Sequence, residues 1–143
     1  MNIESFREYC LLKKNVTEEL PFGPDTLVYK VMGKAFALCG VDNVPGSCNL
    51  KCDPERAQEL REKYPSIIPG YHMNKKHWNT IAWDGGISDE LIRELTDHSY
   101  NLVVAGLSIK LRNEMKEELP AKKLKQESNE KRRKVAGIKS QPK

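Results

Sequence analysis

The stretch Thr26-Leu27-Val28-Tyr29-Lys30-Val31-Met32-Gly33-Lys34-Ala35-Phe36-Ala37-Leu38-Cys39-Gly40-Val41 decides the fold class. Leu27, Tyr29 and Val31 alternate with Val28, Lys30 and Met32, the period of a strand with one face buried. A second apolar run, Ala35 to Val41, follows Gly33-Lys34, which reads as a hairpin turn. An antiparallel hairpin is therefore expected here. Working outward, Cys48, Leu50 and Cys52 point one way and Asn49 and Lys51 the other, which gives a further strand ending at Asp53. His77 to Trp83 reads as another, closed by Asp84-Gly85-Gly86, with short strands at Thr17–Leu20 and Ser66–Ile68.

Helices fall between these strands. Asn2 can cap a helix bearing Ile3, Phe6, Tyr9 or Cys10, and Leu12 at helical spacing. Asp53 caps a second, with Pro54 at its first position and Ala57, Leu60 and Tyr64 as the inward stripe. Ser88 caps the longest, whose Leu91, Ile92, Leu95, Leu102 and Val103 form an apolar face up to Gly106. The expectation is a two-layer α+β domain, an antiparallel β-sheet packed against helices, over residues 1–112. Residues 113–143 follow as a basic tail: Ile109 to Leu119 can add a charged helical extension that Pro120 stops, and Ala121 to Lys143 is expected to be disordered because few apolar residues offset its ordering entropy.

Charge is divided along the chain. The net charge of the 143 residues is +4, but Lys110 to Lys143 carry +7, which leaves the preceding part at −3. A nucleic-acid contact on the folded part would therefore need a local basic cluster. Gly70-Tyr71-His72-Met73-Asn74-Lys75-Lys76-His77-Trp78 is the candidate: Lys75 and Lys76 can hold phosphates while Tyr71 and Trp78 stack or pack. A tryptophan in a strand is mostly core, so Trp78 and Trp83 are expected to anchor the sheet. Lys34 and Lys51 are further phosphate contacts, and Lys131-Arg132-Arg133-Lys134 is a second basic block. Phe22-Gly23-Pro24-Asp25 reads as a turn with a buried Phe.

Chemistry beyond binding is sparse. Cys48, Cys52, His72 and His77 imitate a zinc-finger pattern, yet residues four apart on a strand lie roughly 13 Å apart and cannot both reach one metal. Cys10 and Cys39 look like small core residues, and four irregular thiols are expected to stay reduced. His98 is expected to hydrogen-bond within the core. There is no phosphate-binding glycine loop, nucleophile elbow or His-Glu-x-x-His helix, so no catalytic residue, cofactor or metal is assigned. Apolar runs are far shorter than the ~20 residues of a membrane helix, and the start lacks a signal core, so a cytoplasmic monomer is expected.

Four motifs carry a family resemblance: Phe22-Gly23-Pro24-Asp25-Thr26-Leu27-Val28-Tyr29-Lys30-Val31, Asn49-Leu50-Lys51-Cys52-Asp53-Pro54-Glu55-Arg56-Ala57, Gly70 to Thr80, and Asp97-His98-Ser99-Tyr100-Asn101-Leu102-Val103-Val104. From Phe6 to Arg112 the chain resembles the MmcQ/YjbR family of small bacterial proteins. The resemblance implies a CyaY-like (frataxin-like) double-wing fold and carries the label of a DNA-binding protein. DNA binding through Lys75, Lys76, Lys34, Lys51, Tyr71, His72 and Trp78, helped by Lys131, Arg132, Arg133 and Lys134, is the leading expectation. The alternative is a non-enzymatic module that receives an acidic protein or a small ligand. Metal handling, the third class, is disfavoured because Glu4, Glu8, Glu18 and Glu19 make no dense acidic ridge.

Overall fold

Six strands form one antiparallel sheet in the order β1-β2-β3-β4-β6-β5, as seen in a computed structural model that describes residues 1–70 and 73–116. The strands are β1 (Val16–Glu19), β2 (Thr26–Val31), β3 (Lys34–Gly40), β4 (Ser47–Lys51), β5 (Ile67–Pro69) and β6 (Trp78–Ala82). The helices are α1 (Ile3–Leu11), α2 (Pro54–Lys63), α3 (Asp89–Ala105) and α4 (Ile109–Lys116). The α+β class expected from the alternation is thus the observed one, and β1 through β4 make a simple meander. The β6 strand then inserts next to β4, leaving β5 at the edge.

Local capping explains where the helices begin. The Asn2 side chain accepts from the Ser5 amide at 2.8 Å, Asp53 from Arg56 at 3.2 Å, and Ser88 from Leu91 at 3.0 Å. Each satisfies an amide that the first turn leaves without a partner. The acidic residues Asp89 and Glu90 complement the positive end of α3, and the Met1 ammonium pairs with Asp89 at 2.8 Å. At its other end α3 stops at Gly106, whose amide reaches back to the Leu102 and Val103 carbonyls.

The central hairpin turns one residue earlier than the sequence suggests. Val31 and Lys34 are cross-strand partners, so the turn is Met32-Gly33, with φ of +50° and +82°. Left-handed conformations at both positions match the twist of the flanking strands, and Lys34 opens β3. A register shift between Tyr29 and Lys30 breaks the alternation of β3, so that both Phe36 and Ala37 are fully buried. The Phe36 ring meets Tyr100 of α3 edge-on at 5.3 Å.

The core lies between one sheet face and the helices. Leu27, Tyr29 and Val31 of β2, Ala37 and Cys39 of β3, Cys48 and Leu50 of β4, and Ile81 of β6 join Phe6 of α1, Ala57 and Leu60 of α2, and Ile92 and Leu95 of α3. Tyr29 donates its hydroxyl to Glu18 at 2.7 Å, and Arg7 donates to the same carboxylate at 2.6 Å. Arg7 above all, then Tyr29, hold Glu18 below the usual carboxylate range. Met115 of α4 is also buried with this cluster, so the folded region runs past Arg112. The opposite sheet face carries Thr17, Glu19, Val28, Lys30, Leu38, Asn49, Lys51, Trp78 and Thr80, by the alternation of each strand.

Antiparallel pairing sorts the connections to the two ends of the sheet. The Met32-Gly33 turn, the exit of β4 and the approach to β6 share one end; the 20–25, 41–46 and 83–88 loops share the other. Phe22 therefore lies far from the Lys75–Trp78 segment. Contrary to expectation it is not buried: 74% of it is exposed. It sits beside Pro21 at the centre of a turn in which the Gly23 amide donates to the Leu20 carbonyl at 3.5 Å.

Candidate functional site

The lysine-rich end is built by three elements. Lys51, the last residue of β4, is the direct cross-strand partner of Trp78, the first of β6. Because Leu50 and Asn79 face the core, Lys51 and Trp78 share the open face, where cross-strand side chains approach closely. The ladder continues one residue further, since the Cys52 amide donates to the His77 carbonyl at 2.7 Å. Beside this pair, Thr80 donates its hydroxyl to Asn49.

Asn74 organises the turn that carries the two adjacent lysines. Its side chain accepts from the Lys76 amide at 3.0 Å, and its carbonyl accepts from His77 at 3.1 Å and Trp78 at 3.0 Å. This self-closing pattern is an Asx turn, and it leaves Lys75 and Lys76 exposed. Arg61 of α2 then fixes the turn to the body of the protein. Its Nε donates to Asn79 Oδ1 at 2.7 Å and its Nη2 to the Lys75 carbonyl. Asn79 is only 2% exposed, so the guanidinium satisfies one end of a buried amide while bracing the lysine turn.

Ion pairing is confined to a few of the described basic side chains, and Lys14, Lys63 and Lys110, like the lysines at this end, have no carboxylate partner. Lys13 pairs with Asp97 and Lys30 with Glu19, and Arg7 and Arg56 pair with Glu18 and Glu94. Among the described residues, no carboxylate forms an ion pair with Lys34, Lys51, Lys75 or Lys76. Lys34 is at the hairpin tip on the same end, about 10 Å from β6 by two strand spacings. Its partner Val31 is a core residue, however, so Lys34 starts from the helix-side face whereas Lys51 starts from the open one. Tyr71, His72 and the block Lys131, Arg132, Arg133 and Lys134 lie outside the described residues.

Trp78 departs from the expectation that both tryptophans anchor the core. Trp83 does so, buried against Phe6 with ring centroids 5.4 Å apart, whereas Trp78 is part-exposed on the open face. Sequence reasoning missed Arg61, Asn74 and Asn79. Asn79 had a usable signal: its alternation with Ile81 turns a polar side chain inward, which demands a buried donor nearby. Arg61, beside Leu60 on α2, was the long side chain placed to supply it.

The four cysteines and His98 are committed to structure. All four cysteines are free and buried, and desolvation pushes Cys48 up to about 12 and Cys52 up to about 11. His98 Nε2 accepts from the Asp53 amide at 3.1 Å, and its pKa is lowered by burial and then by Arg56. No group of three His, Cys, Asp or Glu among the described residues is placed to hold a metal. A cavity of about 10 Å³ beside Asn79, lined by Leu50, Cys52, Leu60 and Leu95, has room for a single water. No described helix is long and apolar enough to cross a membrane.

Comparison with known proteins agrees with this architecture. The YjbR family profile matches residues 11–102. The chain is 47% identical over 88 residues to the uncharacterised protein YbdF of Escherichia coli O157:H7, covering 62% of this chain and 72% of that one. With the uncharacterised protein YjbR of Escherichia coli K12 it shares 33% identity over 105 residues, 73% of this chain and 88% of the relative. Among solved structures it is similar to Deinococcus radiodurans protein DR2400, at 41% identity and a TM-score of 0.74, covering 80% and 87% of the two chains. A Pseudomonas syringae protein is 30% identical with a TM-score of 0.62, covering 71% and 98%. The chain therefore belongs to the YjbR family.

Proposed function

We propose that this chain binds DNA through its phosphate backbone, using Lys51, Lys75 and Lys76 around Trp78, with Lys34 as a flanking contact at the hairpin tip. The observation that carries this reading is the Lys51–Trp78 cross-strand pair next to the Asn74–His77 turn, which gathers un-neutralised ammonium groups around a part-exposed indole. Ammonium groups of this kind displace the counterions condensed on a duplex, and an exposed aromatic face supports sugars or bases. Bracing by Arg61 and Asn74 keeps the lysine backbone in one geometry before any ligand arrives. The reading is of binding, and among the described residues the four thiols are buried and His98 serves the Asp53 amide.

Fluorescence anisotropy of labelled duplex over a salt series tests this in the full chain. A background variant with Lys131, Arg132, Arg133 and Lys134 all changed to Gln separates the tail's contribution. Each lysine on a phosphate contributes about 0.9 to the slope of log affinity against log salt. In that background, Lys75→Ala/Lys76→Ala should lower the slope by about 2 and weaken binding on every sequence tried. An unchanged affinity and slope in the double variant, with the fold intact, overturns the proposal.

A further inference from the structure

The end of the sheet opposite the lysines has a different chemistry. Leu20, Phe22, Val41 and Val44 are 50%, 74%, 38% and 94% exposed, and they belong to two loops that touch, the Val41 amide donating to the Asp25 carbonyl at 2.8 Å. The 83–88 loop joins them through the Trp83 amide, which donates to the Gly46 carbonyl at 2.9 Å. Exposed apolar residues scattered singly need no explanation, but four of them on two loops that touch offer a contact surface. The side-chain charges of the three loops have one sign. The 20–25, 41–46 and 83–88 loops contain Asp25, Asp42 and Asp84 and no lysine or arginine.

A suitable occupant must therefore bring apolar side chains and positive charge together. An anionic lipid surface is disfavoured by the carboxylates, and a symmetric second copy would set aspartate against aspartate. The chain itself carries the complementary segment. Lys131-Arg132-Arg133-Lys134-Val135-Ala136-Gly137-Ile138-Lys139 places Val135 and Ile138 among basic residues. Reach is not limiting: the chain from Lys116 to Lys131 spans up to about 50 Å when extended, against a radius of gyration of roughly 13 Å for a domain of this size.

We propose that Lys131–Lys139 docks in cis on the Phe22 and Val44 loops, its apolar pair against those side chains and its cations beside Asp25 and Asp42. The surface would then hold the basic segment at the far end from the lysine turn, a role independent of what that turn binds. The test uses the full chain with Ser140→Cys carrying a nitroxide, which labels selectively because the four native thiols are buried. Amide NMR signals of residues 20–25 and 41–46 should lose most of their intensity, and high salt should restore them. Phe22→Ser with Val44→Ser should also restore them while the signals of β4 and β6 stay in place. Weak, uniform broadening over the whole surface overturns the proposal, as does loss centred on another face. So does loss in a mixture of labelled unenriched chains with unlabelled enriched chains, which would report contact between molecules.

Discussion

Replacing Arg61 with alanine should destabilise the domain more than its place on a half-exposed helix suggests. The guanidinium makes two bonds from α2, one to Asn79 Oδ1 at 2.7 Å and one to the Lys75 carbonyl. Asn79 is only 2% exposed, so removal of Arg61 takes the donor away from its buried Oδ1. Leaving one buried acceptor unsatisfied costs about 1–3 kcal/mol, and the lost stem adds a smaller packing term. A total of about 2–3 kcal/mol is expected, the Lys75 carbonyl contributing little because water can replace its donor. In urea this moves the midpoint down by about 1–2 M for a slope near 1.5–2 kcal/mol/M. Arg61→Lys should recover part of the loss, since an ammonium can reach one acceptor but not fork to both. The decisive measurement is a double-mutant cycle with Asn79→Leu, which removes the amide that Arg61 serves. There the Arg61→Ala step should shrink by about 1–2 kcal/mol. If the two losses simply add, or if Arg61→Ala alone costs less than about 0.5 kcal/mol, the bracing argument is wrong.

Other consequences are simpler to check. A methyl group on residue 46 would lie 2.4 Å from the Trp83 ring, so Gly46→Ala should lower stability by about 1–3 kcal/mol in denaturant melts through displacement of that indole. His98 has a folded pKa below its unfolded value. Its contribution to stability should therefore be complete above about pH 6.5 and fall as pH drops through the folded pKa. Protonation removes the acceptor of the Asp53 amide, so His98→Gln should flatten this part of a stability–pH profile. The four thiols should resist a thiol reagent at pH 8 in the native protein and all react after unfolding, because burial raises each of them. A thiol that titrates rapidly in the native state would contradict its placement in the core.

What could be read in the sequence was local. Asn2, Asp53 and Ser88 cap helices because a side chain three residues away from its amide needs no tertiary information, and the alternation of β2 and β4 survives from pattern to sheet. The hairpin turn was displaced by one residue because Met32 adopts a left-handed conformation that methionine does not favour on its own. Arg61 reaches residues 14 and 18 positions away, and nothing in the α2 pattern fixes where a long exposed side chain will go. Phe22 misled because hydrophobicity reports a tendency to be buried, while actual burial depends on which layer covers a loop. The tryptophans were partly legible: Trp78 and Trp83 have opposite parity on one strand, so both could not face the core.

The strand order has a consequence for how the protein is made. The N-terminal meander can pair strand by strand as it leaves the ribosome, but β4 acquires its second neighbour only when residues 78–82 have been synthesised. Until then the nascent chain presents β4 as a temporary edge, with Cys48 and Leu50 on one face and unpaired backbone groups along its side. The finished edges differ in kind. On one side β1 carries two adjacent glutamates, and on the other β5 is three residues long and ends in proline. Both discourage strand addition. The interval before β6 arrives is thus when this sheet is most open to pairing with the wrong chain.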